Sequence, residues 1–103
     1  MIEKVKDFNQ NKMCHREPMP VYARLMDVQS ELGELAKEYL KNSGYGTKDF
    51  SNTEDFELEF GDVVYSILSL GIEMNIDIEN AVDCVLKKYQ KRIDENKNMG
   101  SGR

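Results

Sequence analysis

Two carboxylates three residues apart, Glu59 and Asp62, open a run from Val63 to Ile72 that meets no charged residue before Glu73. In a helix the pair shares one face, a turn apart, and that face continues into Ser66 and Ser69. The rest of such a helix is apolar almost all the way round, as in a segment buried in a bundle or an oligomer. Carboxylates at its mouth are costly to hold unless a cation or hydrogen-bond donors neutralise them. No Lys, Arg or His stands beside them in sequence, but a second acidic group lies upstream: Glu31 and Glu34 three apart, and Glu38 four further on.

If the helices carrying the two groups pack antiparallel, as their short connection favours, Glu31, Glu34, Glu59 and Asp62 face one another across a cleft. Four carboxylates from two helices make an all-oxygen site, which suits Mg²⁺ or Mn²⁺; Zn²⁺ usually recruits His or Cys. Di-iron bundles add a Glu-x-x-His unit, and the single histidine, His15, lies in a proline-containing linker instead. Mg²⁺ keeps several waters and takes further ligands from phosphate oxygens, so the pattern points to metal-dependent work on a phosphorylated compound. Either acidic pair alone reads more plainly as a solvated helix face. The coincidence is what argues for a site: both pairs flank apolar seams, on neighbouring helices.

The elements that must position these residues follow from periodicity. Ile2, Val5 and Phe8 predict a short amphipathic helix over residues 2–10. Met13 to Pro20 reads as a linker, because Pro18 and Pro20 restrict the backbone around them. The first long helix is expected from Val21 to Asn42, with Leu25, Val28, Leu32, Leu35 and Tyr39 as one apolar seam. Ser43-Gly44 supplies its stop. Ser51, Asn52 or Thr53 can cap the second long helix, which runs to about Met74 with Glu54 and Asp55 in its first turn. Asp77 caps a third helix carrying Ile78, Ala81, Val82, Val85, Leu86 and Tyr89 on one side. The expected fold is all-α, a compact bundle of two long antiparallel helices, a third helix and a short N-terminal one. It forms a single domain over residues 1–95, with a flexible tail over 96–103. Tyr65, Leu68 and Ile72, off the main seam of the second long helix, suggest a second buried face and hence oligomerisation.

At 103 residues with 40% hydrophobic and 32% charged residues, this is an ordinary globular composition. A net charge of −5 argues against general binding to nucleic-acid polymers or anionic membranes, which takes a basic stripe. An acidic protein can still bind a polyanionic small molecule through a bridging divalent cation. Cys14 and Cys84 have no metal-ligand spacing and read as free thiols, buried or partly so. The N-terminus lacks an apolar signal core, and no run is long enough to span a bilayer, so a soluble, cytoplasmic protein is expected.

Ser30-Glu31-Leu32-Gly33-Glu34-Leu35-Ala36, followed by Glu59-Phe60-Gly61-Asp62-Val63-Val64, resembles the MazG-type nucleotide pyrophosphohydrolases of the all-α NTP pyrophosphatase superfamily. Their signature is a Glu-Glu-x-x-Glu motif and a later Glu-x-x-Asp, and the resemblance spans roughly Val21 to Arg92. Ser30 stands where the first glutamate of the motif is found. The resemblance implies Mg²⁺ ligands at Glu31, Glu34, Glu59 and Asp62. It implies hydrolysis of a nucleoside triphosphate between the α- and β-phosphates, and a homo-oligomer, dimeric or tetrameric. Glu34 and Glu38 rank equally as the general base. Lys88 and Arg92, one turn apart on the third helix, would meet the phosphates, with Lys48 a weaker candidate; all three also read as solvated charge. Two other readings fit the same residues: a non-catalytic helical interaction module, and a nucleotide-binding regulator without turnover.

Overall fold

A computed structural model describes residues 1–12 and 20–96. Most of the expected linker, with Cys14, His15 and Pro18, lies outside the described residues, as does the chain beyond Asn96. Four α-helices follow in order: α1 (Ile2–Lys12), α2 (Val21–Asn42), α3 (Glu54–Glu73) and α4 (Ile78–Asn96). There is no strand among the described residues, so the all-α expectation holds.

Local chemistry sets the boundaries. Pro20 sits at the N-cap of α2 with extended backbone, and its carbonyl accepts from the amides of Ala23 and Arg24. At the other end Gly44 takes a left-handed φ of 55°, and Tyr45 follows it at 57°, so a 3-10 turn over Gly44–Gly46 wraps back onto α2. The amides of Gly46 and Lys48 both donate to the Ser43 carbonyl. Thr53 caps α3 by accepting from the Phe56 amide at 3.1 Å. The same hydroxyl accepts from the Asn42 side chain at 2.9 Å, which ties the end of α2 to the start of α3. Past α3, Asn75 adopts φ 56°, and the amides of Asn75 and Ile76 reach back to the carbonyls of Ile72 and Gly71. This paired arrangement satisfies the carbonyls left over at the helix end. Asp77 then caps α4, its carboxylate accepting from the Asn80 amide.

α2 and α3 run antiparallel. Arg24 meets Glu73 at one end, Tyr39 meets Phe56 near the other, and Asn42 meets Thr53 at the turn. Tyr39 also stacks on Phe50 at 4.5 Å, closing the loop end with an aromatic cluster. α1 lies across α3: Phe8 packs edge-on against Tyr65, the Tyr65 hydroxyl donates to Asn9 Oδ1 at 2.5 Å, and Asn9 Nδ2 donates to Ser69 at 3.1 Å. The second face expected from Tyr65 and Leu68 is therefore covered from within the chain, with Leu68 buried, Tyr65 and Ile72 half-buried and α1 on Tyr65.

The molecule departs from the compact bundle that the sequence suggests. Its radius of gyration is 17.8 Å, against about 13 Å for a compact domain of this length. α4 is the reason. It packs on neither α1 nor α2, and every residue from Glu79 to Glu95 is exposed, Cys84 included. The seam of α2 is also divided. Val28 and Leu35 are half-buried, whereas Leu25, Leu32 and Tyr39, roughly 60° away on the helix wheel, stay exposed. The apolar arc is wider than contact with one helix can cover.

Candidate metal centre

The antiparallel pairing of α2 and α3 brings the two acidic groups together. One carboxylate oxygen each from Glu31, Glu59 and Asp62 lie within 4.8 Å of one another. Glu31 enters from α2, on the side of the apolar seam that turns toward α3, and Glu59 and Asp62 enter from successive turns of α3. Glu31 and Glu59 are half-buried and Asp62 is exposed, so the group sits at the mouth of the helix pair and opens to solvent.

Electrostatics show what this arrangement lacks. Partial burial pushes the Glu59 carboxyl above its ordinary range, and the negative charges of Asp62, Glu34, Glu31 and Glu38 push the same way. Among the described residues no Lys, Arg or His forms an ion pair with any member of the trio. Arg24 is engaged by Glu73 at 3.4 Å, and Lys41 by Glu38 at 3.9 Å. Three carboxylates held this close, all oxygen donors, fit a hard divalent cation better than they fit one another.

The other expected site residues take distinct places. Glu34 is exposed and outside the trio, yet near enough to raise Glu59. Glu38 is half-buried, and its carboxylate has Lys41 as a partner one turn on. Lys48 lies in the loop after the 3-10 turn, exposed, on the end of α2 away from Pro20. Lys88 and Arg92 are on α4, where both stand 5.8 Å from the Tyr89 ring centre; within one chain the fold does not pack that helix against α2. Two features were missed in the sequence. Ser69, expected on the carboxylate face, accepts from Asn9 instead, and the Arg24–Glu73 pair joins residues 49 apart. A serine inside an apolar run signals that some donor must reach it, but not from which helix.

No protein-family model matches the chain, and no solved structure matches it. It is similar to the uncharacterized protein YpjD of Bacillus subtilis (strain 168), with 38% identity over 86 residues, 81% of this chain and 73% of that protein. The chain belongs to the YpjD family. Membership by itself brings no activity. No helix among the described residues is long and apolar enough to cross a membrane.

Proposed function

We propose that the chain is a Mg²⁺-dependent nucleoside triphosphate pyrophosphohydrolase, cleaving an NTP or dNTP between the α- and β-phosphates to release the monophosphate and pyrophosphate. The observation that carries this reading is the convergence of Glu31, Glu59 and Asp62 from two helices, with no basic partner among the described residues. The order of the two acidic motifs along the chain, and their resemblance to the MazG-type enzymes, supports the choice of substrate.

In this reading Glu31, Glu59 and Asp62 hold the cation, and Glu34 stands beside them as a further ligand or as the base. A bound Mg²⁺ (or Mn²⁺) supplies charge neutralisation on the phosphates and orients the reacting groups. Glu34 or Glu38 takes a proton from the attacking water as its oxygen bonds to the α-phosphorus. The bridging P–O bond breaks, and its electron pair leaves with pyrophosphate. Glu38 has a cationic neighbour in Lys41, 3.9 Å from its carboxylate. Lys88, Arg92 and Lys48 are the proposed phosphate partners; the first two ride on the helix that stands clear of α2.

The test is pyrophosphate release from a panel of common NTPs and dNTPs in Mg²⁺ and in Mn²⁺. Turnover of at least one nucleotide, abolished by Glu59→Ala and by Asp62→Ala, is the expected result. Absence of turnover across the panel with both metals defeats the proposal for these substrates.

A further inference from the structure

Three carboxylates with a fourth, Glu34, beside them outweigh one divalent ion, so the loaded site stays negative toward a polyphosphate. Further positive charge has to come from side chains within reach. Lys88 and Arg92 ride on α4, which does not pack on α2. Lys37 and Lys41 share α2 with Glu31 and Glu34, so helix geometry alone fixes where they stand. At ~100° per residue, Lys41 lies on the line of Glu34, seven residues on, and Lys37 lies between them, ~60° to the side. All three are exposed, on the flank of α2 opposite the line of Leu25, Leu32 and Tyr39. The rise from Glu34 to Lys41 is about 10 Å. Side chains on a helix lean toward its N-terminus, which here turns both lysines back along α2 toward the carboxylates. Neither is held by an acid of α3. Lys41, its side chain 67% exposed, meets Glu38 at 3.9 Å, and Lys37 forms no ion pair among the described residues.

The flank changes character on the other side of the trio. There α3 continues from Asp62 into Ser66 and Ser69; Ser69 is taken by Asn9, and Arg24 is bonded to Glu73. Neutral hydroxyls lie that way, and ammonium groups lie toward the α2–α3 turn.

We propose that Lys37 and Lys41 bind the β- and γ-phosphates, the half of the substrate that leaves as pyrophosphate. The substrate then lies along α2 with its phosphates toward the turn and its nucleoside toward Ser66. This inference rests on the pyrophosphohydrolase reading and adds a direction to it. Two ammonium groups one turn apart suit two phosphates joined by a bridging oxygen, since lysine binds phosphate as a point charge. When the bond between the α-phosphorus and the bridging oxygen breaks, its electron pair goes to the β-phosphate, and the lysines meet that charge where it develops.

Isothermal titration of the full chain with pyrophosphate in Mg²⁺ tests the assignment. Lys37→Gln and Lys41→Gln each weaken pyrophosphate on the order of tenfold, the worth of one hydrogen bond to a charged group. Both lysines are exposed, so neither change unfolds the chain. The monophosphate of a nucleotide that the wild type turns over lacks those phosphates, and its affinity is the same in both variants. Lys4→Gln, the same charge change on the exposed face of α1, leaves both affinities alone. A wild type that does not bind pyrophosphate, or variants that hold it as tightly as wild type, overturn the proposal. So does an equal loss in Lys4→Gln or an equal loss for the monophosphate. A wild type that turns over no nucleotide removes the pyrophosphohydrolase reading and this inference with it. Turnover in the wild type, with pyrophosphate held undiminished by the lysine variants, removes this inference alone.

Discussion

Replacing Asp62 by Asn reverses its effect on stability according to whether a divalent cation is present. Glu31 and Asp62 bring oxygens within 4.8 Å of each other. Two unit charges at that separation repel by about 0.9 kcal/mol with water-like screening. Asp62 is exposed, and salt near 0.15 M has a screening length of about 8 Å, so roughly half of that survives. Asp62→Asn in metal-free buffer is therefore expected to raise the melting temperature by about 2–4 °C, for a domain in which 1 kcal/mol moves it about 4–8 °C. Mg²⁺ at ten times its dissociation constant stabilises the wild type by about 1.4 kcal/mol. That corresponds to a rise of roughly 6–11 °C. The variant keeps two of the three carboxylates, and its shift at the same Mg²⁺ concentration falls to less than half. Thermal melts of both proteins, with and without Mg²⁺, read the crossover directly. An Asp62→Asn protein that melts lower than wild type without metal, or gains as much from Mg²⁺, shows that the trio is not a cation site.

Glu59 carries the pH dependence. Its carboxyl is raised in the folded state, so the native protein holds that proton more tightly than the unfolded chain does. In metal-free buffer this contribution is present below the ordinary carboxylate pKa and is lost as pH rises through the folded value. The melting temperature of wild type should fall over that range more than that of Glu59→Gln, and parallel pH profiles would dispose of the idea. The Asn9 bridge predicts energetic coupling. Tyr65→Phe removes its hydrogen bond to Asn9 and should cost about 1 kcal/mol in urea unfolding. Asn9→Ala also strips the buried Ser69 hydroxyl of its donor and should cost about 2–3 kcal/mol. The double variant should cost less than the sum, and strict additivity would mean the bridge does not form. Gly44→Ala forces a Cβ to within 2.6 Å of Thr47 Oγ1 at a left-handed φ of 55°. A loss of about 1–2 kcal/mol is expected, read by the same denaturant titration; an unchanged midpoint would show that the loop rearranges freely.

The elements were legible because their signals are local. The boundaries of α2 follow from Pro20 and Gly44, those of α3 from Thr53 and Asn75, and the start of α4 from Asp77, each acting within a few residues. The meeting of Glu31 with Glu59 and Asp62 was legible too, since a short connection makes two helices antiparallel and periodicity then fixes which flank each carboxylate takes. Glu34 was grouped with them because a wheel gives direction around the axis; which side chains converge depends on the spacing and crossing of the two helices.

The rest needed the tertiary structure. In sequence Tyr65, Leu68 and Ile72 read as a face for a second chain, and only the placement of α1 shows that Tyr65 is covered from within. Asn9 comes from 56 residues away to accept from Tyr65 and from 60 away to donate to Ser69, while Phe60 and Ile67 stay exposed. The same limit applies to α4, whose stripe of Val82, Leu86 and Tyr89 reads as a bundle helix although the chain gives it no bundle to join. The sequence by itself determined the helices, their caps and the carboxylates at the mouth of α3, because hydrogen bonding and periodicity act over one or two turns. The tertiary structure decided which three of those carboxylates come within reach of one another and which apolar faces stay uncovered, because burial is settled by whichever element arrives from far along the chain.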